Sequence, residues 1–280
     1  MQKVCIIGMG LMGGSLGLAI KKYLPKLTVY GVVRKKSNID KVMSLGAADQ
    51  VVMDTREVVC DSDWIILATP PLAIEKTLRD ISVYLSKDQL VTDVASVKHP
   101  IMSLYRTIIS KKAHYIGSHP IAGSERSGIE AASATLFVGS RSILTPEKKT
   151  PQSIIAEVAA FWRKLGAQPI LMDAKEHDRI FSMVSHLPHL ISFALAGCSR
   201  KRDSDVQYAG DGWKDMTRIA GSLPGLWSEI AAFNGGNLLR DIRMFRQNLK
   251  KIEQALKEKN HNGLRKVLDR FQQRESARDD

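Results

Sequence analysis

The sequence predicts an α/β domain built on a parallel sheet, followed by an all-helical domain. Through the first half of the 280-residue chain, short apolar segments alternate with amphipathic segments of helical length. Strands this apolar, separated by helix-sized connections, are typical of a parallel sheet that is covered on both faces. Beyond about residue 173, apolar positions recur with helical period and no strand-like run appears. We therefore predict two domains, residues 1–172 and residues 173–280.

The individual elements follow from the same patterns. The apolar runs that predict strands are 3–8, 28–33, 50–53, 64–69, 90–95, 114–119, 141–146 and 168–172. A helix is predicted at 153–166, and the later helices are predicted near 174–200, 213–221, 224–233, 235–258 and 260–275. Pro188 should kink the first of these later helices, because proline removes one intrahelical hydrogen bond.

Composition favours a soluble protein of a reducing compartment. Hydrophobic residues make up 44% of the chain and charged residues 25%, and we see no apolar run that approaches the length of a membrane span. The N-terminal "MQKVCIIGMG" enters a strand without a signal-peptide pattern. The three cysteines are widely spaced, which favours free thiols. We therefore expect a cytoplasmic location and no membrane partner.

The net charge of +12 does not by itself indicate a nucleic-acid partner. Residues 240–280 contain 12 basic and 7 acidic residues, interspersed at helical spacing, with only two aromatic residues, Phe245 and Phe271, among them. That pattern is more typical of a solvated helical face than of a nucleic-acid surface. The excess positive charge can still attract anionic small molecules.

A glycine-rich turn follows the first predicted strand and opens a helix. In "IIGMGLMGGS", three glycines form the pattern GxGxxG, which suits a Rossmann-type dinucleotide-binding turn. The first allows the tight turn, the second lets a pyrophosphate approach the backbone, and the third lets the helix pack on the strand. The predicted cofactor-binding residues here are Gly8, Gly10, Leu11, Met12 and Gly13.

A cationic turn lies where an acid would normally bind the adenosine ribose. That acid is expected about 20 residues beyond the glycines, and Val33 occupies the position. Valine cannot accept a hydrogen bond, whereas Arg34, Lys35, Lys36 and Ser37 suit a 2′-phosphate. The sequence thus favours NADP as cofactor and leaves NAD possible. The alternative is a solvated turn whose charge is incidental.

Polar residues end two further predicted strands. "LATPP" supplies Thr69 and Pro70, and "TDVASVK" supplies Asp93 and Ser96. Residues at the carboxyl ends of strands line the ligand crevice of open α/β sheets. These four residues are therefore crevice candidates, although any of them could simply cap the following helix.

A histidine ends the predicted strand at 114–119. In "GSHPIAGSERSG", His119 is followed by Pro120 and by small residues that leave room for a ligand. A histidine at this edge of the sheet, beside a nicotinamide, is a plausible proton acceptor. The alternative is a purely structural histidine.

The helical domain contains a second group of candidate residues. His186 and His189 have helical spacing but no third ligand at a familiar distance, so we predict no metal site. Arg218, with Lys214 and Asp215 nearby, is a candidate for holding a substrate carboxylate. The alternative is an ordinary surface ion pair.

Together these motifs resemble the prephenate/arogenate dehydrogenase family of tyrosine biosynthesis. The matching segments occur in order over about residues 6–227: "GMGLMGGS", "DVASVK", "SHPIAGSE", "SHLPH" and "DMTRIAGSLPGLW". The resemblance implies NAD(P)-dependent oxidative decarboxylation of a cyclohexadienol, either prephenate or arogenate. It also implies a homodimer formed through the helical domain.

The resemblance assigns roles to particular residues. His119 would accept the proton of the ring hydroxyl, Ser96 would position that hydroxyl, and Arg218 would hold a substrate carboxylate. The residues that would line the pocket are Ser124, Ser185, His189 and Trp227.

One residue departs from the family pattern, and two other classes of protein remain open. Asp211 stands where a glycine is expected, and it can either pair with the ammonium group of arogenate or cap the following helix. The first rival is a β-hydroxyacid dehydrogenase of the 6-phosphogluconate type, but its glycine-rich lysine motif is not found here. The second rival is a non-catalytic NADP-binding sensor.

Overall fold

The computed structural model describes residues 1–124, 126–199 and 206–276. Its centre is a single sheet of eight strands in the order β3-β2-β1-β4-β5-β6-β7-β8. The strands are β1 Lys3–Ile7, β2 Thr28–Val32, β3 Gln50–Val52, β4 Trp64–Leu67, β5 Leu90–Asp93, β6 His114–Pro120, β7 Arg141–Pro146 and β8 Gln168–Leu171. All neighbouring strands are parallel except β6 and β7, which are antiparallel. The predicted Rossmann-type sheet is therefore confirmed.

Helices connect the strands and then continue alone. Those of the sheet region are α1 Leu11–Tyr23, α2 Ser37–Ser44, α3 Arg56–Val59, α4 Pro71–Ile81, α5 His99–Ile108 and α6 Gln152–Lys164. The later helices are α7 Ala174–Phe181, α8 Leu187–Ser199, α9 Asp211–Arg218, α10 Pro224–Phe233, α11 Gly235–Lys257 and α12 His261–Ser276. A helical region after the sheet is therefore confirmed as well.

The central strands of the sheet are buried on both faces, as their apolar sequences require, whereas the edge strand β8 is largely exposed. Along β1, Val4 and Ile6 belong to one core cluster, whereas Cys5 and Ile7 belong to another on the opposite face. This alternation follows from the two-residue period of a strand. Cys5 is buried, Cys60 and Cys198 are exposed, and all three are free cysteines.

The strand directions bring several strand ends to one edge of the sheet. β1, β4, β5 and β6 are mutually parallel, so their carboxyl ends lie together. Gly8, Ala68 and Val94 follow the first three strands, and His119 lies near the end of β6, where it is paired with Ile143 of β7. This edge carries the candidate site.

The segment around Pro188 departs locally from α-helical geometry. Ser182–His186 forms a π-helical turn, in which the amide of Leu187 bonds to the carbonyl of Ser182. Pro188, as the second residue of α8, supplies no amide to the preceding turn. The kink predicted here is therefore a π turn between α7 and α8.

The chain divides into two compact units, Met1–Asn234 and Gly235–Asp280. The sequence predicts a boundary at residue 173 instead, where the strands end. The difference has a structural origin, because α7 packs against α5 and β7, and α10 packs against α4. The helices from α7 to α10 thus belong to the same compact unit as the sheet.

One helical stretch, Ala174–Ser199, is long and apolar enough to cross a membrane by length and composition alone. The expectation that no apolar run approaches this length was therefore wrong. The stretch nevertheless contains His177 and Asp178, whose side chains are buried and hydrogen-bonded within the protein. It also includes the π turn, so it is weak evidence for a membrane span.

Candidate active site at the carboxyl edge of the sheet

The glycine-rich turn after β1 has the geometry of a dinucleotide-binding turn. Gly8 has a φ of 100°, and a Cβ atom there would lie 2.7 Å from the carbonyl oxygen of Ala68. A Cβ atom at Gly13 would lie 2.0 Å from the carbonyl oxygen of Gly8. Among the described residues, none lies within 4 Å of a Cβ atom built at Gly10, so the space beside the start of α1 is open. An anion can approach the free amides there.

The cofactor-binding candidates next to this turn occupy the first turn of α1 and the end of β4. Leu11 and Met12 are the first two residues of α1. Thr69 follows β4, and its buried hydroxyl has no hydrogen-bond partner among the described residues. Pro70 is the N-cap residue of α4. An orphaned hydroxyl and an open glycine turn are what a nicotinamide dinucleotide would need at this edge.

The cationic turn after β2 is exposed around a buried valine. Val33 lies in the hydrophobic core, and its amide donates to the carbonyl of Val52. Arg34, Lys35 and Ser37 are exposed, and Ser37 begins α2. Val33 thus offers no acceptor to a ribose hydroxyl, while the following cations are accessible to an anion.

His119 is a buried histidine whose Nδ1 atom is already bonded. The residue is 7% exposed, and its Nδ1 lies 2.8 Å from Nε2 of His177. Its ring also packs edge-on against Phe181 at 4.9 Å between centroids. Burial lowers the pKa of His119 well below its usual value, and the positive potentials of His177, Lys98 and His186 lower it further. His119 is therefore neutral at neutral pH, as a proton acceptor must be.

Beneath His119 lies a buried network that the sequence reading assigned differently. Asp93 is fully buried, and its carboxylate accepts hydrogen bonds from the Lys98 ammonium, the Tyr115 hydroxyl and the Ala95 amide. The Asp93 side chain therefore does not line an open crevice, and the prediction of direct cofactor binding has no support in its placement. Lys98 also donates to the carbonyl of Ser118 at 2.7 Å. The network thereby holds the strand residue that precedes His119.

Lys98 is a functional candidate that the motif analysis missed. It is fully buried, and burial lowers its pKa, although the negative charge of Asp93 acts in the opposite direction. The signal in the sequence was a lysine inside the apolar segment "DVASVK". Buried lysines are rare unless they are paired.

Ser96 and His186 approach each other between β5 and the π turn. Ser96 is half-buried, and its backbone lies near enough to His186 to favour that residue's charged form. His186 is fully buried; its Nδ1 lies 3.1 Å from the side-chain nitrogen of Asn234, and its Nε2 has no partner with hydrogen-bond geometry among the described residues. Burial dominates and lowers the pKa of His186 to about 4.

Three of the four predicted pocket residues come together on the helical side, and Arg218 lies beside them. The Nδ1 of His189 lies 2.9 Å from the carbonyl oxygen of Ser185, and its ring stacks on Trp227 at 3.5 Å between centroids. Burial lowers the pKa of His189, the Ser185 backbone partly opposes this shift, and the positive charge of Arg218 adds to it. Ser185, His189 and Trp227 thus form one cluster, beside which the exposed Arg218 lies near enough for its charge to act on His189.

The remaining candidates lie on the surface. Ser124 is exposed, and its hydroxyl accepts a hydrogen bond from the Arg126 amide at 3.1 Å. Asp211 is the first residue of α9 and Gly210 is the N-cap, so the alternative that Asp211 caps this helix has no support in its position. Its carboxylate lies 3.7 Å from the Lys214 ammonium and is 95% exposed. Asp215 is also exposed.

Comparisons with known proteins agree with this arrangement. The model of the prephenate dehydrogenase nucleotide-binding domain matches residues 16–171, and the model of the prephenate dehydrogenase dimerization domain matches residues 173–270. Cyclohexadienyl dehydrogenase of Zymomonas mobilis is 33% identical over 99% of this chain and 95% of its own.

Two solved structures are similar over nearly their whole length. Prephenate dehydrogenase from A. aeolicus, in complex with hydroxyphenyl propionate and NAD+, has a TM-score of 0.90 and 31% identity, covering 99% of this chain and 98% of that one. Arogenate dehydrogenase from Synechocystis has a TM-score of 0.80 and 30% identity, covering 99% of both chains. With both domain models matched in order, the chain belongs to the prephenate dehydrogenase family of nicotinamide-dependent oxidoreductases.

Proposed function

We propose that this protein catalyses the NAD(P)-dependent oxidative decarboxylation of prephenate or arogenate in L-tyrosine biosynthesis. The observation that carries the proposal is His119, a buried and neutral histidine at the sheet edge that also bears the glycine-rich turn. Neither a β-hydroxyacid dehydrogenase nor a cofactor sensor accounts for this histidine together with the Ser185, His189 and Trp227 cluster and Arg218 beside it.

The proposed chemistry begins with proton transfer to His119. The histidine accepts a hydrogen bond from the ring hydroxyl and takes its proton as the neighbouring carbon–hydrogen bond breaks. The bound nicotinamide supplies the acceptor for the hydride. The ring carboxylate leaves as carbon dioxide, and the electron pair of the broken carbon–carbon bond moves through the ring to the oxygen of the former hydroxyl group. That oxygen regains a proton from His119. The product ring is aromatic.

The other candidates bind and orient the substrate. Ser96 is proposed to position the ring hydroxyl, and Arg218 to hold a carboxylate through a charge-assisted contact. His189, whose ring is fixed by Trp227 and by the Ser185 carbonyl, is proposed to line the pocket wall with Ser124. Lys214 and Asp215 lie on the same helix as Arg218 and are assigned to the pocket rim. Asp93 is assigned to positioning, since its carboxylate is fully engaged.

The deciding experiment pairs each substrate with each cofactor. Reduction of the nicotinamide is followed with prephenate and arogenate, using NAD and NADP, for wild type and His119→Asn. We expect turnover in the wild type and a loss of about 10²-fold or more in the variant, the scale of a lost general base. A variant with near-normal turnover, or a wild type inactive on both substrates, would overturn the proposal.

For the cofactor we propose a preference for NADP, with the exposed Arg34, Lys35 and Ser37 at the 2′-phosphate. The test is the ratio of specificity constants in wild type and in the double variant Val33→Asp, Arg34→Asn. The double variant should shift preference toward NAD, because it supplies an acceptor for ribose hydroxyls and removes a cation. Equal use of both cofactors by the wild type would make this turn a solvated surface only.

For the substrate we propose that Asp211 favours arogenate over prephenate. Its exposed carboxylate can pair with an ammonium group and repel a keto acid's carboxylate. The variant Asp211→Gly should then narrow the advantage of arogenate by improving prephenate turnover. If the ratio of specificity constants for the two substrates does not change, Asp211 has no part in the choice.

We further propose a cytoplasmic homodimer formed through the helical region. Its support is the match to a dimerization domain over residues 173–270 and the apolar side chains exposed there. No nucleic-acid or membrane partner is proposed.

A further inference from the structure

The residues behind His119 form a hydrogen-bonded chain that crosses three elements. His119 on β6 contacts His177 on α7, and the Nδ1 of His177 lies 2.8 Å from Oδ1 of Asp178. The Asp178 carboxylate in turn accepts hydrogen bonds from the backbone amides of Lys98 and His99, at the start of α5. His177 is fully buried and Asp178 nearly so.

The donor and the acceptor of each hydrogen bond in this series can be assigned by starting from Asp178. Two backbone amides at a helix N-terminus can only donate, and they favour a negative charge on Asp178. An anionic Asp178 can only accept, so the Nδ1 of His177 must carry the proton. The Nε2 of a neutral His177 is then an acceptor, and the Nδ1 of His119 must donate to it. The only lone pair left on the His119 ring is at Nε2.

We propose that His177 and Asp178 are positioning residues that fix His119 in its Nδ1–H tautomer and so present Nε2 as the proton acceptor. This inference rests on the proposed function of His119, but the tautomer itself does not depend on catalysis.

The ring of His177 is held for this task by its surroundings. It stacks on Phe181 at 4.5 Å between centroids, and the backbone carbonyl of Asp178 accepts from the Asn234 side chain at 2.7 Å. Besides His177, the groups whose positive potential lowers the pKa of His119 are Lys98 and His186. All of these side chains are buried.

Two substitutions at His177 distinguish the role of its hydrogen-bond acceptor from the role of its aromatic ring. His177→Phe keeps an aromatic ring against Phe181 but removes both nitrogens, so the buried Nδ1–H of His119 loses its acceptor. In His177→Gln, the amide oxygen can reach the position of Nε2 and accept the same hydrogen bond. The pair therefore tests the acceptor at one position, with urea unfolding to confirm that both variants fold.

The first measurement reads the tautomer directly. Full-length protein with ¹⁵N-labelled histidine is examined by long-range ¹H–¹⁵N correlation near neutral pH, and the His119 signals are assigned by their loss in His119→Asn. We expect an Nδ1–H tautomer for His119 in the wild type and in His177→Gln, and a shift toward Nε2–H in His177→Phe. An Nε2–H tautomer in the wild type, or no change in His177→Phe, would overturn the inference.

The second measurement is kinetic. In His177→Phe, kcat should fall by about 10-fold to 10⁴-fold, the upper value being the cost of a wrong tautomer in a serine-protease triad. The Michaelis constant should change little, and His177→Gln should recover at least about 10-fold of the loss. Equal kcat in wild type and His177→Phe would contradict a positioning role. If instead the wild type is inactive, the proposed function fails, and the tautomer measurement still decides the inference.

Discussion

At the scale of single residues, the burial of His119 determines how activity should depend on pH. The pKa of His119 lies well below 6.5 because the ring is buried among His177, Lys98 and His186. A general base works only when unprotonated, so kcat/KM should rise with pH through that low pKa and then remain constant. A pH profile of kcat/KM checks this, with His119→Asn as the control that lacks the acid limb. An acid limb centred at or above pH 6.5 would contradict the burial of this ring.

A second residue-scale prediction concerns the ion pair of Lys98 and Asp93, both of which are fully buried. Lys98→Met leaves the Asp93 carboxylate without its cation in the interior, which should cost about 3–5 kcal/mol of unfolding free energy. The matched control is Lys76→Met, which breaks the exposed pair with Asp80 and should change stability far less. Urea unfolding of the two variants provides the comparison. Equal losses of unfolding free energy in the two variants would mean that the buried pair contributes no more to stability than the exposed pair.

Sequence reasoning found residues whose role depends on position along the chain and missed those whose role depends on contacts across it. His119 and Thr69 were found because strand ends in a parallel sheet meet at one edge. His177 and Asp178 were missed because nothing in their local pattern reveals a contact with residue 119 or with the start of α5. Asp93 was found at the correct strand end, but its side chain points into a network that only the fold assembles.

At the scale of elements, two glycines of the turn between β1 and α1 have different roles, one in folding and the other in cofactor binding. A Cβ atom at Gly13 would collide with the Gly8 carbonyl, whereas one at Gly10 would meet no described residue within 4 Å. Gly13→Ala should therefore lower both stability and cofactor affinity. Gly10→Ala should fold with nearly unchanged stability but bind the cofactor more weakly, because its methyl group occupies the space where a pyrophosphate approaches.

Thermal unfolding and cofactor titration by fluorescence measure the two properties of each glycine variant independently. The exposed Gly123, whose would-be Cβ also has no neighbour within 4 Å in the part of the chain that the structure describes, supplies a control substitution to alanine that should alter neither property. If Gly10→Ala binds the cofactor as well as the wild type, the dinucleotide does not follow this turn.

The elements were predictable to the extent that their hydrophobic period is local. All eight strands and the later helices begin within a few residues of their predicted positions, except α8, which was predicted as part of one helix over about 174–200. The antiparallel direction of β7 was not predicted, because an apolar run has the same pattern in either direction. The π turn at Ser182–His186 was expected only as a kink, since Pro188 marks a lost amide but not how the helix accommodates it.

At the scale of the whole molecule, the exposed apolar side chains of the helical region predict self-association. Tyr208 is 83% exposed, and Met216 and Leu223 are also exposed, a pattern typical of a surface that is covered by a partner. We expect light scattering to give twice the chain mass of 31.0 kDa. Tyr208→Asp should weaken the dimer without unfolding the chain. Val83→Asp, at an exposed residue of the sheet region, should leave the dimer unchanged. A wild-type particle of 31 kDa would contradict the prediction.

Acid should destabilise the whole molecule through its buried histidines. His119, His177 and His186 are all buried, and burial is the largest cause of the lowered pKa of each. The unfolded chain binds protons at these residues near pH 6.5, whereas the folded chain resists protonation. The contribution of these neutral histidines to the free energy of unfolding is therefore complete above about pH 6.5. It is lost as the pH falls toward the pKa values that the histidines have in the folded protein.

The size of this effect can be judged for His186 alone. Its pKa falls from 6.5 to about 4 on folding, and each unit corresponds to about 1.4 kcal/mol, so acidification through this range should cost about 3 kcal/mol. His186→Asn keeps an oxygen that can accept from the Asn234 amide but removes the titrating ring. Urea unfolding across this pH range should therefore show a shallower loss of stability in His186→Asn than in the wild type. The exposed His261, replaced by asparagine, controls for the loss of a histidine as such. Identical pH dependence in wild type and His186→Asn would show that His186 is protonated as easily in the folded protein as in the unfolded chain.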